Sequence, residues 1–161
     1  QKINSADIDF VMNLQGDEPL MDIDDIKNLN IQMIKNQSEL GTLASKIQSD
    51  ENYENENIVK VITKEKLNNS NFPEAINFMR KLNNSYNYIY HHKGIYCYQK
   101  ETLKNFVTFN QSPNELKNKL EQFRALDNGI KINVALALSS SIGVDTEEDF
   151  LAIKKIMEYK S

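Results

Sequence analysis

The chain has 161 residues, of which 40% are hydrophobic and 26% are charged, proportions that are typical of one globular domain and exclude a disordered segment. The net charge of −4 argues against a nucleic-acid partner, because such a surface needs clustered Lys and Arg. No apolar run approaches the roughly 18 residues of a membrane span, and the polar start has no signal-peptide core, so we expect no membrane partner. Cys97 is the only cysteine; without an intrachain disulfide, a reducing cytoplasm is the expected compartment.

Apolar runs in the first half of the chain predict strands on either side of one amphipathic helix. The nearly continuous run Ile8–Leu14 predicts a strand buried on both faces, as in a parallel sheet. Apolar residues close to helical spacing predict a helix over Asp22–Asn36, which Asp22 would cap. Three more strands are predicted, at 40–47, 58–62 and 74–80.

The clearest two-residue alternation in the chain, over Tyr88–Gln99, predicts a further strand. His92 and Tyr96 fall on one face of it, on either side of Gly94, and a strand glycine often marks the close approach of a ligand. The pattern alone nevertheless favours a tyrosine-rich sheet surface with a solvated histidine. Cys97, on the other face, is interpreted as a small packed strand residue rather than a nucleophile.

A capping box in the last third of the chain predicts a helix with one buried and one solvated side. Ser112–Glu115 has the capping-box pattern with proline at the first helical position, and Gly129 is the expected C-terminal glycine. The buried side would carry Leu116, Leu120 and Phe123. Glu121 and Gln122 lie off that stripe, and the pattern places them on the solvated surface.

Three further elements complete the pattern: a helix at 101–109, a strand at 132–138, and a last helix that the capping box Thr146–Asp149 opens. Strands therefore alternate with helices, and no internal repeat or linker interrupts them. We expect one α/β domain over residues 1–161, with a layered sheet flanked by helices.

Two acidic residues stand where ligands of open α/β sheets bind, beyond the carboxyl ends of strands. Asp17 follows the first strand in the segment Gln15-Gly16-Asp17, whose glycine permits a ligand to approach the backbone. Asp145 precedes the last helix, which Thr146 would cap, so Asp145 is left available for another role. The alternatives are an ordinary turn for the first segment and a favourable helix-terminal charge for the second. Two carboxylates from distant segments suit magnesium, which completes its shell with waters and substrate phosphates.

Four segments in order carry a resemblance to one family. They are Asn13-Leu14-Gln15-Gly16-Asp17-Glu18-Pro19, His92-Lys93-Gly94-Ile95-Tyr96, Lys119-Leu120-Glu121-Gln122-Phe123-Arg124-Ala125-Leu126 and Gly143-Val144-Asp145-Thr146-Glu147-Glu148-Asp149. Any one of them is a weak signal, whereas the ordered combination is specific. From about Ile8 to its C-terminus the chain resembles 3-deoxy-manno-octulosonate cytidylyltransferase, the CMP-Kdo synthetase of bacterial lipopolysaccharide synthesis.

The resemblance implies a layered mixed, mostly parallel sheet flanked by helices, as in nucleotide-diphospho-sugar transferases, and a cytoplasmic homodimer. It implies transfer of CMP from CTP to the acidic sugar Kdo by in-line attack of the anomeric hydroxyl on the α-phosphorus, with release of pyrophosphate. By resemblance Asp17 and Asp145 bind Mg²⁺ and act in catalysis. The residues that would line the sugar pocket are Gln15, Arg80, His92, Tyr96, Glu121 and Gln122, with Arg80 facing the carboxylate.

The chain departs from the family pattern in two places. In the family an Ile-Pro turn follows the arginine, and here Arg80 is followed by Lys81-Leu82-Asn83. Nothing before Gln15 resembles the family's first strand and the basic loop that holds the CTP phosphates, so we expect an incomplete domain without its N-terminal nucleotide-binding portion. Three alternatives stay open: a sister enzyme for another acidic sugar, a truncated non-catalytic remnant that only folds or dimerises, and an unrelated α/β domain.

Overall fold

The computed structural model describes residues 8–15, 21–47, 53–138 and 147–159. The main elements of these ranges are strands β1 (Phe10–Leu14), β2 (Leu40–Ser45), β3 (Lys60–Thr63), β4 (Ala75–Met79), β5 (Ile89–Gln99) and β6 (Ile132–Leu136), and helices α1 (Ile23–Asn36), α2 (Lys100–Phe106), α3 (Pro113–Asn118), α4 (Gln122–Asp127) and α5 (Glu147–Tyr159). The strands and helices follow the order that the sequence predicts, except that two helices replace the one predicted from Ser112.

The six strands form one mixed sheet in which β5 is the central strand. The order is β4-β3-β5-β2-β6, and β1 also pairs with β5. The layered mixed sheet flanked by helices is confirmed, but the expectation of mostly parallel strands is wrong for the described residues. There β5 runs antiparallel to β1, β2 and β3, β4 runs antiparallel to β3, and only β2 and β6 pair in parallel. The connections that join β3, β4 and β5 carry no helix within the described residues, and such connections suit antiparallel neighbours, whereas a parallel pair needs a longer crossover.

Strand β1 differs from its prediction as a strand buried on both faces. Phe10, Val11 and Met12 are half-buried, while Asn13 and Leu14 are exposed. Within the described residues β1 has β5 as its only strand neighbour, so it lies at a margin of the sheet rather than in its centre. A nearly continuous apolar run therefore indicates a strand, but it does not show whether the strand lies in the centre or at the margin of the sheet.

The alternation of β5 divides its side chains between the two faces of the sheet, as predicted, and each face carries a core cluster. Tyr90, Tyr96 and Tyr98 belong to a cluster that includes residues of α2 and α4. Ile95 and Cys97 belong to the cluster on the other face, against α1.

Helix α1 packs closely on the second cluster because Gly41 in β2 has no side chain. A Cβ built at Gly41 would lie 2.5 Å from Met33 Sδ and 2.8 Å from Phe72 Cζ. Asp22 caps the helix as predicted, since its Oδ1 accepts a hydrogen bond from Asp24 N at 2.8 Å.

The helix predicted from Ser112 to Gly129 is two short helices instead of one. Its capping box is confirmed, with both reciprocal hydrogen bonds between Ser112 and Glu115 at 3.2 Å. Lys119 ends α3 in the left-handed conformation, with φ of 53°, and α4 begins three residues later. This break changes which side chains face the core: Leu116 is 59% exposed, whereas Gln122 is buried. Gly129, with φ of 79°, follows α4 as predicted.

Candidate active site

A buried polar cluster lies where β5 passes under α4. The His92 and Tyr96 rings, on the same face of β5, are 5.5 Å apart, and Tyr96 Oη donates a hydrogen bond to Gln122 Oε1 at 3.2 Å. All three side chains are buried. The prediction of a solvated histidine, which the strand pattern favours, is therefore wrong, because other elements of the fold cover this face of β5. The structure brings together three of the residues that the resemblance assigns to the sugar pocket.

His92 is held from two sides and is uncharged. The edge of the Phe78 ring meets it at 5.1 Å, and Thr42 Oγ1 lies 2.9 Å from His92 Nε2. Burial, with smaller contributions from the neighbouring His91 and Lys93, lowers the pKa of His92 to about 3. Neutral imidazole has one donor nitrogen and one acceptor nitrogen, so at neutral pH His92 can accept a hydrogen bond.

Gln122 carries a buried donor that the described part of the chain does not satisfy. Its Nε2 is buried and has no hydrogen-bond partner among these residues, while its Oε1 is bonded to Tyr96. An unsatisfied buried amide costs about 1–3 kcal/mol, which a ligand oxygen would recover. Helical periodicity places Gln122 on the solvated surface, and only the break at Lys119 turns it inward. The motif resemblance was the one sequence signal that could find it.

A buried ion pair supports the helix that presents Gln122. Arg124 Nε donates to Glu115 Oε2 at 2.8 Å and Arg124 Nη2 to Glu115 Oε1 at 2.5 Å. The Arg124 guanidinium also lies 5.0 Å from the centre of the Phe106 ring. Hydrogen bonds, chiefly from Arg124, lower the pKa of Glu115 to about 2. Sequence reasoning treats Glu115 only as part of a capping box and assigns no role to Arg124, because the pair joins α3 to α4 across the unpredicted break.

Glu121 stands at the start of α4, and the structure does not bring it into the buried cluster. Its side chain is 50% exposed and lies 3.5 Å from the Arg124 guanidinium. The solvated position predicted from helical periodicity is therefore correct for Glu121 and wrong for its neighbour Gln122.

A cleft of about 520 Å³ adjoins the cluster. Its lining comes from the end of β4, the segment after it, α3 and α4, and consists of Asn77, Phe78, Met79, Arg80, Lys81, Asn83, Asn114, Lys117, Asn118 and Phe123. Phe78 connects the two features, since it lines the cleft and touches His92. The lining includes three cationic side chains and no carboxylate among the described residues, so the cleft favours an anionic ligand.

Arg80 lines this cleft and is anchored by backbone carbonyls. Its Nη1 donates to Glu56 O at 3.2 Å and to Asn57 O at 3.4 Å. The buried Lys60 Nζ in turn donates to Arg80 O at 2.7 Å and to Asn55 O at 2.5 Å. A guanidinium has five N–H donors, and within the described ranges the contacts of Arg80 use only Nη1. Its Nε and Nη2 edge can therefore form a two-pronged hydrogen bond with a carboxylate.

The predicted metal ligands, Asp17 and Asp145, lie outside the described residues, and Gln15 is the last described residue before the first of them. Asn13 pairs with Tyr96 and Leu14 with Ile95, so Gln15 directly follows β1 beside the middle of β5. In the described ranges no group of three or more His, Cys, Asp or Glu could hold a metal ion. Among the same residues, no helix is long and apolar enough to cross a membrane.

Comparison with solved structures shows that the chain has the fold of a CMP-Kdo synthetase. A structure described as CMP:2-keto-3-deoxy-manno-octonic acid synthetase complexed with CTP matches with a TM-score of 0.81 and 28% identity, over 96% of this chain and 64% of that chain. A structure described as mannose-1-phosphate geranyltransferase, from Thermus thermophilus, shares the fold alone, with a TM-score of 0.50 and 13% identity over 80% of this chain and 44% of that one.

The chain belongs to the cytidylyltransferase family, whose family model matches residues 1–132. It is similar to the 3-deoxy-manno-octulosonate cytidylyltransferase of Thermodesulfovibrio yellowstonii, with 39% identity over 96% of this chain and 62% of the relative. The protein of the same name from Brucella canis is 35% identical over 90% of this chain and 58% of the relative. The chain thus spans less than two thirds of the length of the relatives it matches.

Proposed function

We propose that the chain forms part of an enzyme that transfers CMP from CTP to Kdo and releases pyrophosphate. The names of the relatives and the CTP in the matching solved structure support this proposal. The observation that carries it is the buried cluster of His92, Tyr96 and Gln122, with its unsatisfied amide donor, beside a cationic cleft. A sugar acid has hydroxyl groups that can bond to the cluster and a carboxylate that can bind to the cationic side chains of the cleft.

The proposed roles follow from the hydrogen-bonding capacity of each side chain. Gln122 Nε2 donates to a sugar hydroxyl, and neutral His92 accepts from one. Arg80 binds the sugar carboxylate through its Nε and Nη2 edge, while Lys117 across the cleft adds a second positive charge. Binding at both ends orients the anomeric hydroxyl for attack on the α-phosphorus, so the contribution of these residues is positioning.

We further propose Asp17 and Asp145 as ligands of Mg²⁺. Strands β1 and β6, which precede them in the chain, both run opposite to β5. The carboxyl ends of these two strands therefore point in the same direction. Two carboxylates from the segments that follow these strands would suit a cation that takes few protein ligands and completes its shell with phosphate oxygens and waters. When bound, the ion would neutralise the charge that develops on the phosphates.

The test is pyrophosphate release from CTP in the presence of Kdo and Mg²⁺. Because the chain spans only part of its relatives, the gene product is assayed at its natural length beside the 161-residue chain. We expect Gln122→Ala to raise the KM for Kdo roughly tenfold, since one hydrogen bond is lost, and to change the KM for CTP little. Asp17→Asn and Asp145→Asn should abolish release at any sugar concentration.

The control is Lys104→Met, a surface substitution on α2 that lies outside the cleft and should leave both KM values unchanged. No release from well-folded protein at either length would refute Kdo activation. Release with a different acidic sugar in preference to Kdo would reassign the substrate. The same preparations, analysed by sedimentation, test the homodimer, and a monomer at micromolar concentration would contradict it.

A further inference from the structure

Thr42 in β2 makes three contacts through one hydroxyl group. Its Oγ1 lies 2.7 Å from the Ile95 carbonyl oxygen, 3.2 Å from the Lys93 carbonyl oxygen and 2.9 Å from His92 Nε2. Thr42 is completely buried, so water does not compete for these positions. A hydroxyl has a single proton to donate, whereas it can accept two hydrogen bonds.

The two carbonyl oxygens decide where that proton lies. Neither carbonyl can donate, so a contact of 2.7 Å between Thr42 Oγ1 and Ile95 O requires the threonine proton between them. If Thr42 donated to His92 instead, two oxygen lone pairs would face each other at that distance without a proton. Lys93 O, at the longer distance of 3.2 Å, can only share that proton. The contact with His92 therefore has one solution, in which His92 Nε2 carries the hydrogen and donates it to Thr42 Oγ1.

A bulge in the register of the sheet places these groups together. β2 pairs Thr42 with Tyr96 but Leu43 with Lys93, so β5 bulges and leaves Gly94 and Ile95 without partners on β2. The bulge brings carbonyl groups on both sides of Gly94 to the Thr42 hydroxyl. The Thr42 hydroxyl thus donates a hydrogen bond to a carbonyl group of the bulge, and it also orients the ring of His92.

We propose that Thr42 is a positioning residue, which holds His92 as the neutral Nε2–H tautomer and so leaves Nδ1 as a hydrogen-bond acceptor for a hydroxyl group of the substrate. The tautomer of a histidine is set by the hydrogen bond that one of its nitrogens makes, and here His92 Nε2 donates that bond to a side chain 50 residues away. The tautomer is independent of the proposed function, while its use in binding a sugar hydroxyl rests on that function. The acceptor of His92 then complements the donor of Gln122, and a hydroxyl group can satisfy both.

The experiment is a long-range ¹H–¹⁵N correlation spectrum of the histidine rings at pH 7. The chain has two histidines, and His91→Gln assigns the pair. We expect the His92 pattern of a neutral ring with its hydrogen on Nε2. Thr42→Ser, which keeps the hydroxyl, should preserve this pattern, whereas Thr42→Val, which has the same shape without it, should lower the ratio of the Nε2–H to the Nδ1–H form at least about fivefold.

An Nδ1–H or imidazolium pattern in the unmodified chain would overturn the proposal even if Thr42→Val did not fold. An unchanged ratio in folded Thr42→Val would do the same. Kdo added to the unmodified chain should then move the Nδ1 resonance of His92 toward that of a bonded nitrogen. If other resonances respond to Kdo and Nδ1 does not, the acceptor role is refuted; if none responds, the proposed substrate fails, and the first spectrum still judges the tautomer.

Discussion

Glu115→Gln tests whether the ion pair that joins α3 to α4 stabilises the fold. Glutamine fits the same space and still completes the capping box with Ser112. It removes the negative charge opposite Arg124, whose side chain is only 17% exposed. The substitution therefore isolates the charge interaction from shape and capping.

The pKa of Glu115 indicates the size of the effect. Its hydrogen bonds, chiefly from Arg124, lower that pKa from 4.5 to about 2, and each tenfold change in proton affinity corresponds to about 1.4 kcal/mol, so the carboxylate contributes about 3 kcal/mol at pH 7. The unfolded chain binds more protons than the folded chain between these two values. The contribution is therefore complete above about pH 5.5 and is lost as the pH falls toward 2.

The assay is urea unfolding of both proteins at pH 7 and at pH 3. With a slope of about 2 kcal/mol per molar urea, the midpoint of Glu115→Gln should be lower by about 1.5 M at pH 7. At pH 3 the difference should fall to less than half. The control, Glu101→Gln, removes a carboxylate that is paired with Lys104 on the surface and should change the midpoint little. A difference under about 1 kcal/mol at pH 7, or one that is the same at both pH values, would refute this account of the pair.

Three further substitutions or reactions test the packing. Gly41→Ala places a methyl group against Met33 and Phe72 and should destabilise the fold by about 1–3 kcal/mol, so an unchanged melting temperature would contradict the close approach of α1. Gly129→Ala requires a side chain at φ of 79° and should cost about 1–2 kcal/mol in urea unfolding, although a Cβ there meets no neighbour. Cys97 is buried, which raises the pKa of its thiol to about 11; it should react with a thiol reagent only as fast as the protein unfolds, and rapid labelling of native protein would show an open core.

Local sequence patterns predicted the features that depend on residues close together in the chain, namely strand alternation and helix caps. The alternation in Tyr88–Gln99 identified both the strand and its two faces, because successive side chains of a strand point to opposite sides. The caps at Asp22 and Ser112 predicted where helices begin, since each hydrogen bond joins residues two or three positions apart. The ordered motifs identified the family, and they included the residues of the buried cluster.

The tertiary structure decided what depends on contacts between distant segments. The left-handed break at Lys119 occurs without a glycine, so no periodicity revealed that Gln122 faces the core and Leu116 the solvent. The antiparallel direction of β5 likewise follows from its pairing with β1, β2 and β3, which an apolar run does not encode. The contact between Thr42 and His92 joins residues 50 positions apart through a bulge. The sequence by itself determined the two faces of β5 and the capped starts of α1 and α3. Only the folded structure determined which polar groups meet, because each such group is positioned by a neighbour that local spacing does not specify.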